Sequence, residues 1–81
     1  VAKTLGSERH KALIELLIAK REAAGLTQVD LATKLGEYQS FVARLESGQR
    51  RVDLVEFLEL SELLRFDAVE VLKAIEKVPS R

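Results

Sequence analysis

Residues 26–46 read LTQVDLATKLGEYQSFVARLE, and the fold is decided by how this stretch is punctuated. Leu31, Ala32 and Leu35 recur at helical spacing before Gly36, and Val42 and Leu45 do so after it. Thr27 stands at an N-cap position, with Asp30 three residues on as the short form of a capping-box partner. Gly36 can take the positive φ that a tight exit from a helix demands. The spacing therefore predicts one short helix capped by Thr27 and ended by Gly36, and another over Gln39–Glu46 that stops at Ser47-Gly48. Two helices joined so closely must cross closely, and Ala32 supplies the small residue that the inner face needs.

Working outward, the same signals recur. A helix over Glu8–Ala24 is predicted, with Leu13, Leu16, Leu17 and Ala24 on one face, Ile14 and Ile18 widening it, and Gly25 as its stop. Asp53 with Glu56 begins a fourth helix running to about Leu64, and Asp67 with Glu70 a fifth running to about Lys77, ahead of Pro79. Leu54, Phe57, Leu58 and Leu64 are expected on the inner face of the fourth, and Ala68, Val71, Leu72 and Ile75 on that of the fifth. The tail after Val78 is expected to fray. Strand alternation and paired hairpin turns are missing, so the fold class is all-α, five helices in a single domain spanning residues 1–81.

An 81-residue chain has room for one modest core and none for a separate substrate domain. Without cysteine there is no disulfide or thiolate metal site, and the lone His10, expected to be exposed, cannot build an imidazole site. No cofactor or metal is expected. Neither a bilayer-length apolar run nor a secretory apolar stretch occurs, which sets the expectation of a cytoplasmic chain without a membrane partner. The 13 basic and 13 acidic side chains cancel, but they are not evenly spread. Residues 1–52 carry nine Lys/Arg against six Asp/Glu, and residues 53–81 four against seven. If a polyanion meets this chain, the first two thirds face it.

Two helices linked by a tight glycine turn form the helix-turn-helix arrangement. With Val42 and Leu45 turned inward, Gln39, Ser40, Ala43, Arg44 and Ser47 face outward and Phe41 lies on the flank. Gln can bond bidentately to adenine and Arg to guanine, so this face has the chemistry of a base-reading helix. The N–H groups that open the preceding helix, beside Gln28, suit a phosphate. Gln49, Arg50 and Arg51 form a polar, basic loop beyond the reading helix. The hairpin alone would be an ordinary αα packing unit; the Gln-Ser-Arg face and the basic loop are what point to DNA.

Arg21-x-x-x-Gly25-Leu26-Thr27-Gln28-x-x-Leu31-Ala32-x-x-Leu35-Gly36, followed by Gln39-Ser40-x-Val42-x-Arg44-Leu45-Glu46-x-Gly48, resembles the Cro/C1 (Xre) family of phage and bacterial transcriptional regulators. The resemblance implies a five-helix, lambda-repressor-like DNA-binding domain, a bacterial or phage origin, and a homodimer that binds double-stranded DNA at an inverted-repeat operator as a repressor. It places Gln39, Ser40 and Arg44 at base-contacting positions and Gln28, Gln49, Arg50 and Arg51 at phosphate-contacting ones; beside these, Phe41 and Ala43 are expected at bases and Tyr38 at a phosphate. Arg21 and Glu46 match a pair that forms an internal salt bridge in many members. Phe41 departs from the small polar residue of some members; it either meets a thymine methyl or covers the helix flank.

Other readings compete with this one. Glu56, Glu59 and Glu62 recur every three residues, yet a hard cation needs converging oxygens in a shaped loop, so a solvated helix face is expected. No hydrolase-like Ser/His/carboxylate motif is present; an enzyme is not expected, nor a small-molecule substrate. The alternative function is a protein-interaction adaptor with the same helices and no operator, which the acidic C-terminal third and the apolar Val69 and Val78 would suit. The same two valines point to the C-terminal third as the dimer interface.

Overall fold

Side-chain caps open four of the five helices, and left-handed residues close most of them. In the computed structural model, which describes residues 6–79, these are α1 (Glu8–Ala23), α2 (Gln28–Leu35), α3 (Gln39–Glu46), α4 (Leu54–Leu64) and α5 (Ala68–Glu76). Among the described residues there is no strand, and no helix is long and apolar enough to cross a membrane. Ser7 accepts the His10 N–H at the start of α1. Thr27 and Asp30, and likewise Asp53 and Glu56, form reciprocal capping boxes at α2 and α4. Asp67 opens α5 by accepting the Val69 and Glu70 N–H groups. The expected elements are present, with α1 and α5 each one residue shorter than expected, and the caps likewise except that Glu70 returns no bond to the Asp67 N–H, so Asp67 opens α5 by itself.

At the ends of α2 and α3 the chain reverses through Gly36 (φ 71°) and Gly48 (φ 80°). The N–H of Glu37 reaches the Ala32 carbonyl and that of Gln49 the Arg44 carbonyl, the six-residue closure of a Schellman motif. α4 ends the same way without a glycine: Arg65 takes φ 56° while Phe66 N–H bonds to Ser61 O. An L-residue with a Cβ is strained there, and nothing in the sequence marks it.

The core gathers Leu17 of α1, Leu31 and Ala32 of α2, Val42 and Leu45 of α3, Phe57, Leu60 and Leu64 of α4, and Val71 of α5. α2 packs on α3, α1 on both α3 and α5, and α4 on α5. Leu31 and Val42, the most completely buried large side chains, lie on the two helices of the pair, so the core fixes the angle between them. Truncating Leu31 to Ala would cost about 2–5 kcal/mol. Arg9 closes the far side: its Nε donates to Val78 O at 2.8 Å and its Nη2 to Glu76 O at 3.1 Å, so a cation satisfies the last carbonyls of α5.

Several inward assignments differ from expectation. Leu54, Leu58 and Leu72 are exposed, and Leu60 and Ser61 are buried instead. α4 is apolar around much of its circumference, so periodicity alone does not choose a stripe; the core takes 57, 60, 61 and 64, a set at i, i+3, i+4 and i+7. Ala24 is exposed beyond the end of α1, while Ile14 is buried rather than marginal. His10 is half-buried, not exposed. Val78 is also half-buried, whereas Val69 is 57% exposed. Of the tail expected to fray, residues 80–81 lie outside the described part.

Candidate nucleic-acid interface

The surface of interest begins with a buried ion pair. Arg21, near the end of α1, donates from Nε to Glu46 Oε2 at 2.7 Å and from Nη2 to Glu46 Oε1 at 3.1 Å. Its Nη1 donates to Leu26 O at 2.8 Å, so one guanidinium ties α1 to the end of α3 and to the loop before α2. The two side chains are 12% and 6% exposed. The Glu46 hydrogen bonds hold the guanidinium above its ordinary pKa against the desolvation that works the other way. The expected Arg21–Glu46 pair is thus present and bidentate.

From this pair a line of hydrogen bonds runs to the surface. Gln28 Nε2 donates to Glu46 Oε1 at 3.0 Å, and Gln39 Nε2 donates to Gln28 Oε1 at 2.8 Å. The direction is forced, because an ionised carboxylate only accepts. Glu46 must receive the Gln28 NH2, which turns the Gln28 oxygen toward α3 and makes Gln39 the donor. Gln39, exposed at the first position of α3, is left with its carbonyl oxygen and its second amide proton, an acceptor and donor side by side. Gln28 was expected to meet phosphate, but both ends of its amide are engaged inside the protein. The Thr27 hydroxyl takes the Asp30 N–H, so the N–H groups of Gln28 and Val29 still lack an intrahelical acceptor.

Along α3 the pattern Gln39, Ser40, Arg44 and Ser47 is exposed, while Val42 and Leu45 face the core. Ala43 is half-buried between them. Ser47 Oγ donates to Arg44 O at 3.1 Å, but the Arg44 guanidinium makes no hydrogen bond or ion pair among the described residues. Tyr38 is the N-cap residue of α3 without capping it through its side chain, and is 84% exposed.

The loop after Gly48 departs from what its composition suggests. Gln49 and Arg51 are exposed, whereas Arg50, at a bend in the loop, and Val52 are half-buried. Arg50 Nη2 donates to Glu56 Oε2 at 2.9 Å, and its guanidinium carbon lies 4.5 Å from the centre of the Phe41 ring. Phe41 is half-buried against the core rather than aimed outward, so of its two readings the structure adopts the cover for the helix flank. Arg50 and Phe41, expected at phosphate and base, are partners of each other. Glu56 was expected as the α4 cap partner and as part of a solvated face; its first oxygen does complete the cap, but its second takes the Arg50 cation and the residue is half-buried, because the cap leaves that oxygen turned to the loop.

A helix-turn-helix family model matches residues 17–71. The chain belongs to the Xre (Cro/C1-type) helix-turn-helix family. Among solved structures, this Xre-type domain is similar to an XRE-family like protein from Pseudomonas syringae pv. tomato str. DC3000. The two share 41% sequence identity and a TM-score of 0.77, over 84% of this chain and 83% of that one. No curated protein matches. The domain is therefore a DNA-binding helix-turn-helix regulator, and α3 is the second helix of its motif, preceded by a capped α2 and tied to α1 by the Arg21–Glu46 pair.

Proposed function

We propose that this Xre-type domain is a sequence-specific repressor that reads an inverted-repeat operator as a homodimer in a bacterial cytoplasm, with α3 in the major groove. What carries the reading is the exposed Gln39–Ser40–Arg44 face, in which Gln39 is held by Gln28 with an acceptor and a donor pointing out. That pair of groups matches the N6 and N7 edge of adenine, and the unpaired fork of Arg44 matches O6 and N7 of guanine. Ser40 and the methyl of Ala43 complete the reading surface. Phosphates on one side meet the first N–H groups of α2 and Tyr38, and on the other Gln49 and Arg51.

A single domain of this size reads a short site, and pairing about a two-fold axis doubles it. Leu54, Val55 and Leu58 of α4 and Val69 and Leu72 of α5 are exposed apolar side chains that the domain's own core does not use, and they are our choice for the dimer contact. The deciding experiment selects bound sequences from a random duplex pool, then titrates the winner against salt. A two-fold symmetric consensus whose log affinity falls steeply with log salt is expected. An unenriched pool with a flat salt response would leave the adaptor reading in its place.

A further inference from the structure

Arg50 sits on the loop that follows the recognition helix, where a cation is most naturally assigned to a phosphate. Its surroundings say otherwise. Nη2 is paired with Glu56, the flat face lies on Phe41, and Nη1 is buried and without a hydrogen-bond partner. Arg50 lines a small cavity together with Glu37, Phe41, Leu45, Glu56 and Glu59. Glu56 alone is paired with Arg50, and Glu37 and Glu59 line the same cavity, so a phosphate brought there would meet the negative charge of those two further carboxylates.

We infer that Arg50 is a positioning residue, which fixes the pose of α3 by bracing Phe41 against Glu56, and that Arg51 alone of the two loop arginines meets phosphate. The inference rests on the DNA-reading function proposed above. Phe41 is the third residue of α3, so its ring fixes the rotation of the helix about its own axis. Glu56 joins Arg50 at one oxygen and the Asp53 N–H at the other, 3.1 Å away, so the brace is anchored in the α4 cap. The Schellman closure at Gly48 fixes where the loop departs from α3. Planarity is essential to this role: a guanidinium stacks on a ring and pairs edge-on with a carboxylate at once, which an ammonium cannot do.

Salt-dependent binding to the selected duplex tests this with four variants. Arg51→Ala is expected to lower the salt slope by about 0.9 per protomer. Arg50→Ala is expected to leave the slope unchanged, weaken the selected sequence about tenfold and relax base preference, since the brace combines one cation–π contact with one half-exposed ion pair. Arg50→Lys is expected not to rescue, and Glu56→Gln, which keeps the cap, to weaken binding in the same direction and non-additively with Arg50→Ala.

If Arg50 instead meets phosphate, Glu56 competes for it. Glu56→Gln would then tighten binding and steepen the salt response, and Arg50→Lys would preserve both; either result overturns the inference. Failure of the wild type to bind any duplex would sink the DNA-reading function instead. The brace itself is then read in the free protein, by the ring-current shift of the Arg50 side-chain protons and its loss in Phe41→Leu. An absent shift overturns the brace. Should Arg50→Ala fail to fold, Phe41→Leu takes its place in the binding series, with the same unchanged slope expected and a reduced slope counting against the inference.

Discussion

Replacing Arg21 by Met removes three hydrogen bonds and strands the Glu46 carboxylate. In the wild type Glu46 is 6% exposed and accepts twice from Arg21 and once from Gln28. In the variant only the Gln28 amide remains, and the Leu26 carbonyl also loses its donor. Breaking a buried pair by removing one partner costs about 3–5 kcal/mol. A domain of 81 residues has roughly 4–12 kcal/mol in total, at 0.05–0.15 kcal/mol per residue. Arg21→Met should therefore remove at least a quarter of the stability and lower Tm by at least about 12 °C. Urea unfolding followed by far-UV circular dichroism reads this as a lower midpoint at unchanged slope. The double variant Arg21→Met/Glu46→Met removes the stranded charge and should return to within about 1 kcal/mol of wild type. A single variant costing under about 1 kcal/mol, or a double variant no more stable than the single, would refute the reasoning.

The two left-handed stops should respond with opposite signs. Arg65→Gly is expected to raise stability by about 0.5–1 kcal/mol, as relief of φ 56° outweighs the entropy of the more flexible unfolded chain, and Gly36→Ala to lower it by about 1 kcal/mol; calorimetry of both checks this. Asp30 is held below the usual carboxylate range by the Thr27 backbone N–H first and the Thr27 side chain second. Its folded pKa being depressed, the cap's contribution is present above the unfolded value of about 3.9 and is lost as pH falls through the lower folded value. Asp30→Asn should accordingly be the less stable protein at neutral pH and converge on wild type in an acid series. Arg44→Ala should cost about 1–3 kcal/mol on the preferred operator and relax preference at one position per half-site, seen by competition with single-base variants. Val55→Lys, at a side chain 77% exposed, should leave thermal stability intact and shift a sedimenting dimer toward monomer; an unchanged dimer would move the interface elsewhere.

Much of the domain could be read from residue order because its signals are local. Thr27–Asp30, Asp53–Glu56, Gly25, Gly36 and Gly48 each act within a few residues, and they gave α3 its observed ends, Gln39 and Glu46. The inward face of α4 could not be read, since Leu54, Val55, Leu58 and Leu63 make it apolar on nearly every side and only its neighbours select the buried stripe. Arg65 was invisible because it holds a glycine conformation without being one. Within the site, Arg44 and Arg50 are the same residue type, and what separates them is what lies within reach. Arg50 lies at a bend in the loop, against Phe41 and bonded to the spare oxygen of a capping glutamate, while Arg44 lies on a helix face with no carboxylate bonded to it. Gln28 likewise looked available until the fold brought Glu46 beside it.

The line from Arg21 through Glu46 and Gln28 to Gln39 bears on how such a domain can be retargeted. Changing Gln39 leaves the Gln28 oxygen without its donor, and a mutant at that position alters the support of α3 together with the base contact we propose for it. Ser40 and Arg44 carry no such tie, so they can be exchanged without disturbing the scaffold. New operator preferences should thus emerge first at the base pairs facing Ser40 and Arg44, with the pair under Gln39 the slowest to drift, and a library built to redirect the domain gains most by randomising 40 and 44 while Gln28 and Gln39 are varied only together.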